Sequence, residues 1–415
     1  MTEVLKAYEA IVGHDIVDEL SQLAAILKGI KILHLNSTRF GGGVAEILSK
    51  MVQLTQELGI ETAWETIAGS QEFFRITKGF HNALQGRKEI SVSSSVFEVY
   101  EGVNAENAQA LRSKIEHADV VFVHDPQPAA LIASFPERKN KWIWRCHIAL
   151  TSPKRYIWNY VRNFVSRYDA AIFSLHEYAE PLPIPMYLIA PSIDPLSDKN
   201  CDLSAEEIAA IYPRFCIDPS RPMLLQVSRF DRFKDPLGVI QAYRLAKRFK
   251  HDLQLVLAGG GAHDDPEAER VLQEVLDAAR NDPDIHVLFL PGDSHRTINA
   301  LQRAATIVLQ KSVREGFGLT VTEALWKNKP VIGGNVGGIR LQVNDYQTGF
   351  LVNSSEGAAL RIRYLLQNPA VGKELGERGH RFVQDNFLLT RHLRDYFTLI
   401  LSLLHPGGRI ELGKI

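Results

Sequence analysis

Sulfur is scarce in this 415-residue chain, and what there is does not cluster. The three cysteines, Cys146, Cys201 and Cys216, are widely spaced and form no CxxC pair. That excludes a disulfide framework and a cysteine zinc site, and fits reduced thiols. Charge of one sign is lacking as well: 47 Lys and Arg stand against 48 Asp and Glu, a net −1. Neither nucleic acid nor an anionic membrane is therefore an expected partner. Long apolar runs are missing too; the most apolar late stretch, YFTLILSLL, is too short to span a bilayer. The opening MTEVLKAYEAIVGHDIVDEL is acidic and amphipathic, unlike a signal peptide. The expectation is a soluble cytoplasmic protein without repeats or low-complexity segments.

What is present is an alternation of short apolar, β-branched runs with helix-length segments, and it occurs twice. Strands are expected at 30–35, 61–67, 119–124, 141–146, 170–174 and 186–190, then at 223–228, 253–258, 285–290, 306–310 and 330–334. Runs apolar on both faces indicate parallel sheets covered by helices. Two such sets predict an α/β chain of two Rossmann-like, doubly wound domains facing across a cleft, 1–195 and 196–384. The Pro-, Ser- and Asp-rich segment APSIDPLSDKN (190–200) reads as the connection, with few residues able to join a packed core. The tail HPGGRIELGKI should be loosely ordered.

Ligands of such folds bind at the carboxyl ends of strands, and each candidate motif follows one. LHLNSTRFGGGVAEIL runs through a Gly41-Gly42-Gly43 turn into a helix, whose free N–H groups suit a phosphate or sugar hydroxyls. A dinucleotide fingerprint would need glycine at 46, where Glu46 stands. VSRFDRFKDP carries Arg229 and Lys234, a planar fork and a compact point charge suited to a diphosphate. In VREGFGLTVTEAL, Gly316, Phe317 and Gly318 turn the chain into a helix beginning near Thr320. The N–H groups around Leu319 and Thr320 then form a second anion site. Glu315 is placed to accept hydrogen bonds from sugar hydroxyls and Glu323, in the first helical turn, from a ribose. VIGGNVGGI (331–339) is a further glycine-rich loop that lines the cleft or is pure turn. Asp264 and Asp265 before Pro266 read as a helix cap, and NDPDIH (281–286) as a turn. No metal site is expected. In the first half, His147 follows a strand in WRCHIALTSP, and His124 and Asp125 follow another in FVHDPQP. With Asn36 they are candidates for the second substrate.

EGFGLTVTEALWKNKPVIGGNVGGI together with SRFDRFKDP resembles the retaining, nucleotide-sugar-dependent glycosyltransferases of GT-B fold. Their signature is a Glu, seven residues and a second Glu, met here by Glu315 and Glu323. More narrowly, LHLNSTRFGGGVAEIL, WRCHI, PSIDPLSDKN and VSRFD resemble the trehalose-forming glycosyltransferring synthases over nearly the whole chain. The resemblance implies transfer of glucose from a nucleoside-diphosphate glucose, UDP- or ADP-glucose among them, to free glucose, reversibly. No cofactor is required beyond the nucleotide sugar, and magnesium is not indicated. It further implies that Arg229 and Lys234 hold the departing diphosphate, Glu315 the transferred sugar, Glu323 the ribose, and His147 the donor sugar near the reacting centre. Gly42, Gly43, Phe317, Gly318, Leu319 and Thr320 would complete the donor site, and Asn36, Asp125 and His147 the acceptor site. A helix at about 385–405 would pack back on the first domain. Where the family is expected to carry Asp two residues after the histidine, Ala149 stands. The acceptor is therefore left open toward a sugar phosphate or polyol, as are a non-catalytic sugar-nucleotide sensor and the oligomeric state, a homodimer included.

Overall fold

A computed structural model describes residues 2–39, 42–86, 94–260 and 266–407, with only the backbone of Gly42, Pro266 and Glu267. The chain divides into two compact units, residues 1–191 with 389–415 and residues 192–388. In the first unit, six parallel strands are β1 (Lys31–Asn36), β2 (Glu61–Thr66), β3 (Val120–His124), β4 (Lys141–Arg145), β5 (Ala170–Phe173) and β6 (Met186–Leu188), in the order β2-β1-β3-β4-β5-β6. The second unit holds β7 (Met223–Val227), β8 (Gln254–Gly259), β9 (Ile285–Phe289), β10 (Ile307–Gln310), β11 (Val331–Gly334) and β12 (Gly349–Val352), in the order β12-β11-β10-β7-β8-β9. The expected strands form within two residues of their predicted ends. β12, the short run GFLV, is an addition: it opens on a glycine directly after the turn at 346–348, and four residues leave no period to read.

The physical reason for these sheets is burial on both faces. Every residue of β3, β5, β7, β8, β10 and β11 is buried, as a parallel sheet sandwiched between helices requires. In each unit the strand order reverses once, between β1 and β3 and between β7 and β10, and the loops leaving those strands are the places where a ligand can sit.

The core of the first unit is aromatic. Phe97 and Tyr160 lie 4.0 Å apart by ring centroids, with Phe80 6.0 Å from each. Tyr100 joins them and donates its hydroxyl to the Pro126 carbonyl at 2.6 Å, while Asn104 Nδ2 reaches the Gln127 carbonyl at 3.2 Å. The core thereby anchors the loop after β3. The helix Leu389–Leu404 belongs to this unit, where Tyr396 stacks on Phe122 of β3 at 4.9 Å and 2°.

The segment 190–200 corrects the sequence reading. It is not a solvated connection: Ser192, Ile193 and Asn200 are 1%, 4% and 2% exposed. Ile193 donates its N–H to Phe387 O at 2.9 Å, and Asn200 accepts from Lys327 Nζ at 3.0 Å. Asn200 thus satisfies a buried neighbour, Lys327, rather than water. The cap expected from Asp264 and Asp265 and most of the C-terminal tail, from residue 408, lie outside the described residues.

Candidate functional site

In the second unit, two loops leave adjacent strands at the order reversal and are zipped together, Val313 N–H donating to Phe233 O at 2.9 Å. Gln226, buried at the end of β7, props the first loop through the Lys234 carbonyl at 2.7 Å. The result brings Lys234 onto Glu315, with Nζ 2.7 and 2.6 Å from the two carboxylate oxygens, and Ser312 Oγ donates to Oε2 at 3.1 Å. Their side chains are 18% and 7% exposed, so this is a sheltered ion pair. A second pair, Lys311 with Asp235, lies behind it. Arg229 differs: its side chain is 60% exposed and only 3.5 Å from Asp231, leaving the guanidinium available. Of the residues proposed from sequence for diphosphate and sugar, Lys234 and Glu315 are thus one ion pair, with Arg229 on the same loop as Lys234.

Gly318, at φ 85°, caps the helix Leu319–Trp326 in the left-handed region that favours glycine. The first-turn N–H groups, Leu319 and Thr320 among them, have no intrahelical acceptor and present partial positive charge. Gly338 fixes this turn from β11's loop by donating to Gly316 O at 3.1 Å, and a Cβ there would lie 2.5 Å from Phe317 Cα. The loop 331–339 therefore packs against the site's backbone. The Phe317 ring is buried against Phe387, 5.7 Å away by centroids, so its side chain serves the core. Thr320 Oγ1 donates to Gln310 Oε1 at 3.3 Å.

Glu323 is a correction. Because the helix starts at Leu319, Glu323 falls in its second turn, and it is 3% exposed. A dipole role at a solvated helix start is thereby excluded. Gln302 Nε2 stands 3.5 Å from its Oε2, and Lys327 Nζ donates to its carbonyl at 3.0 Å. Burial pushes the Lys327 ammonium down to about 7 despite the Glu323 charge. The aspartates of 281–286 are occupied structurally: Lys247 bridges Asp282 and Asp284 at 2.7 Å each, and Arg221 holds Asp284 at 2.7 Å. Among the described residues, no group of three or more His, Cys, Asp or Glu could hold a metal ion.

In the first unit, the glycines differ from the expected turn: Gly42 and Gly43 already form the first turn of the helix Gly42–Glu57, and Gly41 lies outside the described residues. Their N–H groups belong to the first helical turn, where backbone donors lack an intrahelical acceptor. Asn36 is 3% exposed and engaged locally, accepting from Ser37 N at 2.7 Å and donating to Thr38 O at 3.2 Å. It shapes the loop after β1.

Asp125 sits at φ 65° and knots the exits of β3 and β4. Its N–H donates to Arg145 O at 2.8 Å, its carbonyl accepts from Trp144 Nε1 at 3.0 Å, and Oδ1 accepts from the His147 N–H at 2.7 Å. Burial raises its carboxyl to about 7, against the pull of the His147 N–H and Arg145. His147 in turn begins a line of imidazoles that sequence reasoning missed: its Nε2 is 3.0 Å from His124 Nδ1, and His124 Nε2 is 3.0 Å from His34 Nδ1. Burial first, then neighbouring cationic groups, pushes His124 and His147 well below the usual imidazole range, and burial alone puts His34 at about 3. Arg145, fully buried at the end of β4, donates Nη2 to Ser174 Oγ at 3.3 Å, while its Nε and Nη1 find no protein acceptor. The available signal was a histidine inside the apolar run IKILHL, a polar group in a strand buried on both faces.

Residues 34–180 match the family described as trehalose synthase, N-terminal domain, and residues 212–382 match glycosyl transferases group 1. Trehalose synthase of Pyrococcus horikoshii is 46% identical over 96% of both chains. That of Rubrobacter xylanophilus is 44% identical over 97% of both. Among solved structures, trehalose-6-phosphate synthase OtsA superposes with a TM-score of 0.72 at 12% identity, over 90% of this chain and 99% of that one. Anabaena Alr3699/HepE in complex with UDP and glucose gives 0.66 at 15%, over 90% and 99%. The fold is GT-B.

Proposed function

Since the chain belongs to the trehalose synthase family of glycosyl-transferring enzymes, we propose that it moves glucose from a nucleoside-diphosphate glucose to free glucose, forming trehalose with retention and in a reversible reaction. The observation that carries this reading is the Lys234–Glu315 pair, together with exposed Arg229 and a helix start that lacks a side-chain cap, all on loops at the strand-order reversal of the second unit. Expelling a nucleoside diphosphate builds negative charge on the leaving oxygens. Arg229 offers a bidentate fork. The Lys234 ammonium has a third N–H beyond the two directed at Glu315. The N–H groups of Leu319 and Thr320 add fixed dipoles, and such preorganised groups supply the largest share of stabilisation in sites of this kind.

Glu315, held by Lys234 and Ser312, accepts from the sugar hydroxyls, and Glu323 receives the ribose. In the first unit, His147 and the loop of Asp125 hold the sugars. The acceptor hydroxyl attacks C1 on the face the phosphate leaves. The C1–O(phosphate) bond breaks as the C1–O(acceptor) bond forms, and a departing phosphate oxygen takes the acceptor's proton. No residue need become covalently linked to the sugar.

A donor-by-acceptor matrix with product identification tests the proposal. Trehalose from UDP- or ADP-glucose plus glucose, with release of the diphosphate, is the expected result. A product only with glucose 6-phosphate would reassign the acceptor. Donor binding without any disaccharide would indicate a sensor. Trehalose from maltose alone, with no nucleotide sugar, would overturn the reading.

A further inference from the structure

The three imidazoles of the first unit obey a rule that none of them obeys alone. His34, His124 and His147 sit on β1, at the end of β3 and just beyond β4, and are brought together only by the parallel register that sets Leu35 beside Val123 and His124 beside Arg145. The rings of His34 and His124, and of His124 and His147, have centroids 5.3 Å apart, at 31° and 19°. In both contacts an Nδ1 faces an Nε2 at 3.0 Å. A neutral imidazole has one N–H and one lone pair. If His34 donates from Nδ1, His124 must accept at Nε2, carry its proton on Nδ1 and donate to His147, whose proton then also lies on Nδ1. If instead His147 donates from Nε2, every proton in the line lies on Nε2. Only these two settings satisfy both contacts, and in each the three rings share one tautomer.

The surroundings keep the line neutral. Arg145 is a buried cation beside His124 and His147, and His392 and Tyr396 from the helix Leu389–Leu404 lie near both Arg145 and Arg391, the latter paired with Asp395 at 2.8 Å. Asp125 holds the His147 backbone, and its own carboxyl is poised near neutrality. A proton added to the line would place a second positive charge beside buried Arg145. His147 Nδ1 is the ring nitrogen outside the ladder at its less buried end. It is a donor in the first setting and an acceptor in the second.

We infer that His34 and His124 are positioning residues that fix which nitrogen of His147 carries its proton, and so whether His147 meets a sugar oxygen as donor or acceptor. The inference deepens the glucosyl-transfer reading in its activity arm, whereas its tautomer arm stands without any substrate. Polar partners of this kind orient a functional ring through the nitrogen it does not use.

Long-range proton–nitrogen correlation spectra of the full-length protein, labelled with nitrogen-15 at histidine, read protonated and lone-pair nitrogens separately. At pH 7.5, His34, His124 and His147 should be neutral and share one tautomer. His124→Phe retains a ring-sized side chain but severs both contacts. In the folded variant, His147 should shift toward a mixture of tautomers. Unlike tautomers among the three rings of the parent protein would overturn the inference, as would an unchanged His147 signal in folded His124→Phe. Should His124→Phe fail to fold, the parent spectrum still decides. In the activity arm, His34→Phe should lower kcat by about tenfold at unchanged donor KM, the low end of what an outer orienting partner contributes. Unchanged kcat in that variant would count against the positioning role. A parent protein that makes no trehalose would sink the proposed function instead, leaving the spectra to judge the ladder.

Discussion

The two units have the same kind of sheet and carry their candidate residues at the same edge, yet their polar chemistry is opposite. The second unit presents charge: Lys234 with Glu315, Lys311 with Asp235, and Arg229 largely exposed. The first presents neutral rings, His34, His124 and His147, beside one buried guanidinium. The difference teaches what each edge can hold. Ion pairs and helix-start dipoles fit a ligand that arrives or leaves as an anion. Imidazoles kept neutral by burial exchange hydrogen bonds with hydroxyls, and add little net charge to repel or attract.

The comparison breaks first at Arg229. Arg229→Ala should lower kcat/KM for the donor by about 100-fold or more, the scale of one lost leaving-group donor. Thermal stability should hold, because an exposed contact at 3.5 Å contributes at most roughly 1 kcal/mol. Near-normal turnover in a donor titration would mean that the second unit's edge is not the anion site.

Glu315→Gln preserves shape while leaving Lys234 without its counter-charge. Urea denaturation should show a loss of about 2 kcal/mol, somewhat below the cost of orphaning a fully buried charge because Lys234 keeps 18% exposure. Stability equal to the parent's would show that Lys234 finds water or another anion, and that the pair is not a sheltered unit.

Acid should separate the units. His34, His124, His147 and His392 have folded-state pKa values below the ordinary 6.5, so the unfolded chain binds protons that the folded one refuses. The first unit therefore loses stability as pH falls through about 6.5 toward 4. Asp125 has the opposite sign, its raised value costing stability as pH rises from about 4 to 7, but it is one group against four. In the second unit, Arg221 chiefly depresses Asp284 to about 2, so its contribution persists above pH 4 and fades only as pH approaches 2. His286, also lowered by burial, is one group with the same sign as the first unit's histidines, against four there. Hydrogen exchange at pH 7, 6 and 5 should therefore show protection falling first in β1, β3 and β4. Equal loss in β7 and β10 would erase the contrast.

Legibility in the sequence followed the same division. The second unit's site was readable because Arg229 and Lys234, and Glu315 with Gly316, Gly318 and Glu323, each lie within one short segment after one strand. Their chemistry is local spacing plus a helix start. The strands were readable because both-face burial writes itself as apolar runs. The ladder was not readable, since residues 34, 124 and 147 meet only through strand register, and no sequence separation encodes a lateral neighbour. The placement of Glu323 differed for a smaller reason: a helix start at Leu319 rather than near Thr320 carries it from the first turn into a buried second one. The connection at 190–200 misled because Pro, Ser and Asp favour loops whether or not those loops are buried.

The finest point of comparison is a shared backbone need met by different residues. Each edge has a residue in the left-handed region on a loop that follows a strand, Gly318 at φ 85° and Asp125 at φ 65° among them. Glycine meets that need without strain; aspartate tolerates it at roughly 1 kcal/mol, and here its carboxylate also accepts the His147 N–H. In Asp125→Gly, the relief of strain and the loss of a hydrogen bond of about 1 kcal/mol should nearly cancel, leaving the melting temperature within a few degrees of the parent's. Activity should nonetheless fall severalfold through kcat, because the backbone bond that sets His147 over its neighbours is gone. Gly318→Ala makes the converse change, adding strain of roughly 1 kcal/mol and pressing a Cβ to 3.1 Å from Glu315 Cγ. If Asp125→Gly left kcat untouched while Gly318→Ala lowered it, the aspartate would be serving only the turn, and the first unit's edge would owe its geometry to Arg145 and the ladder alone.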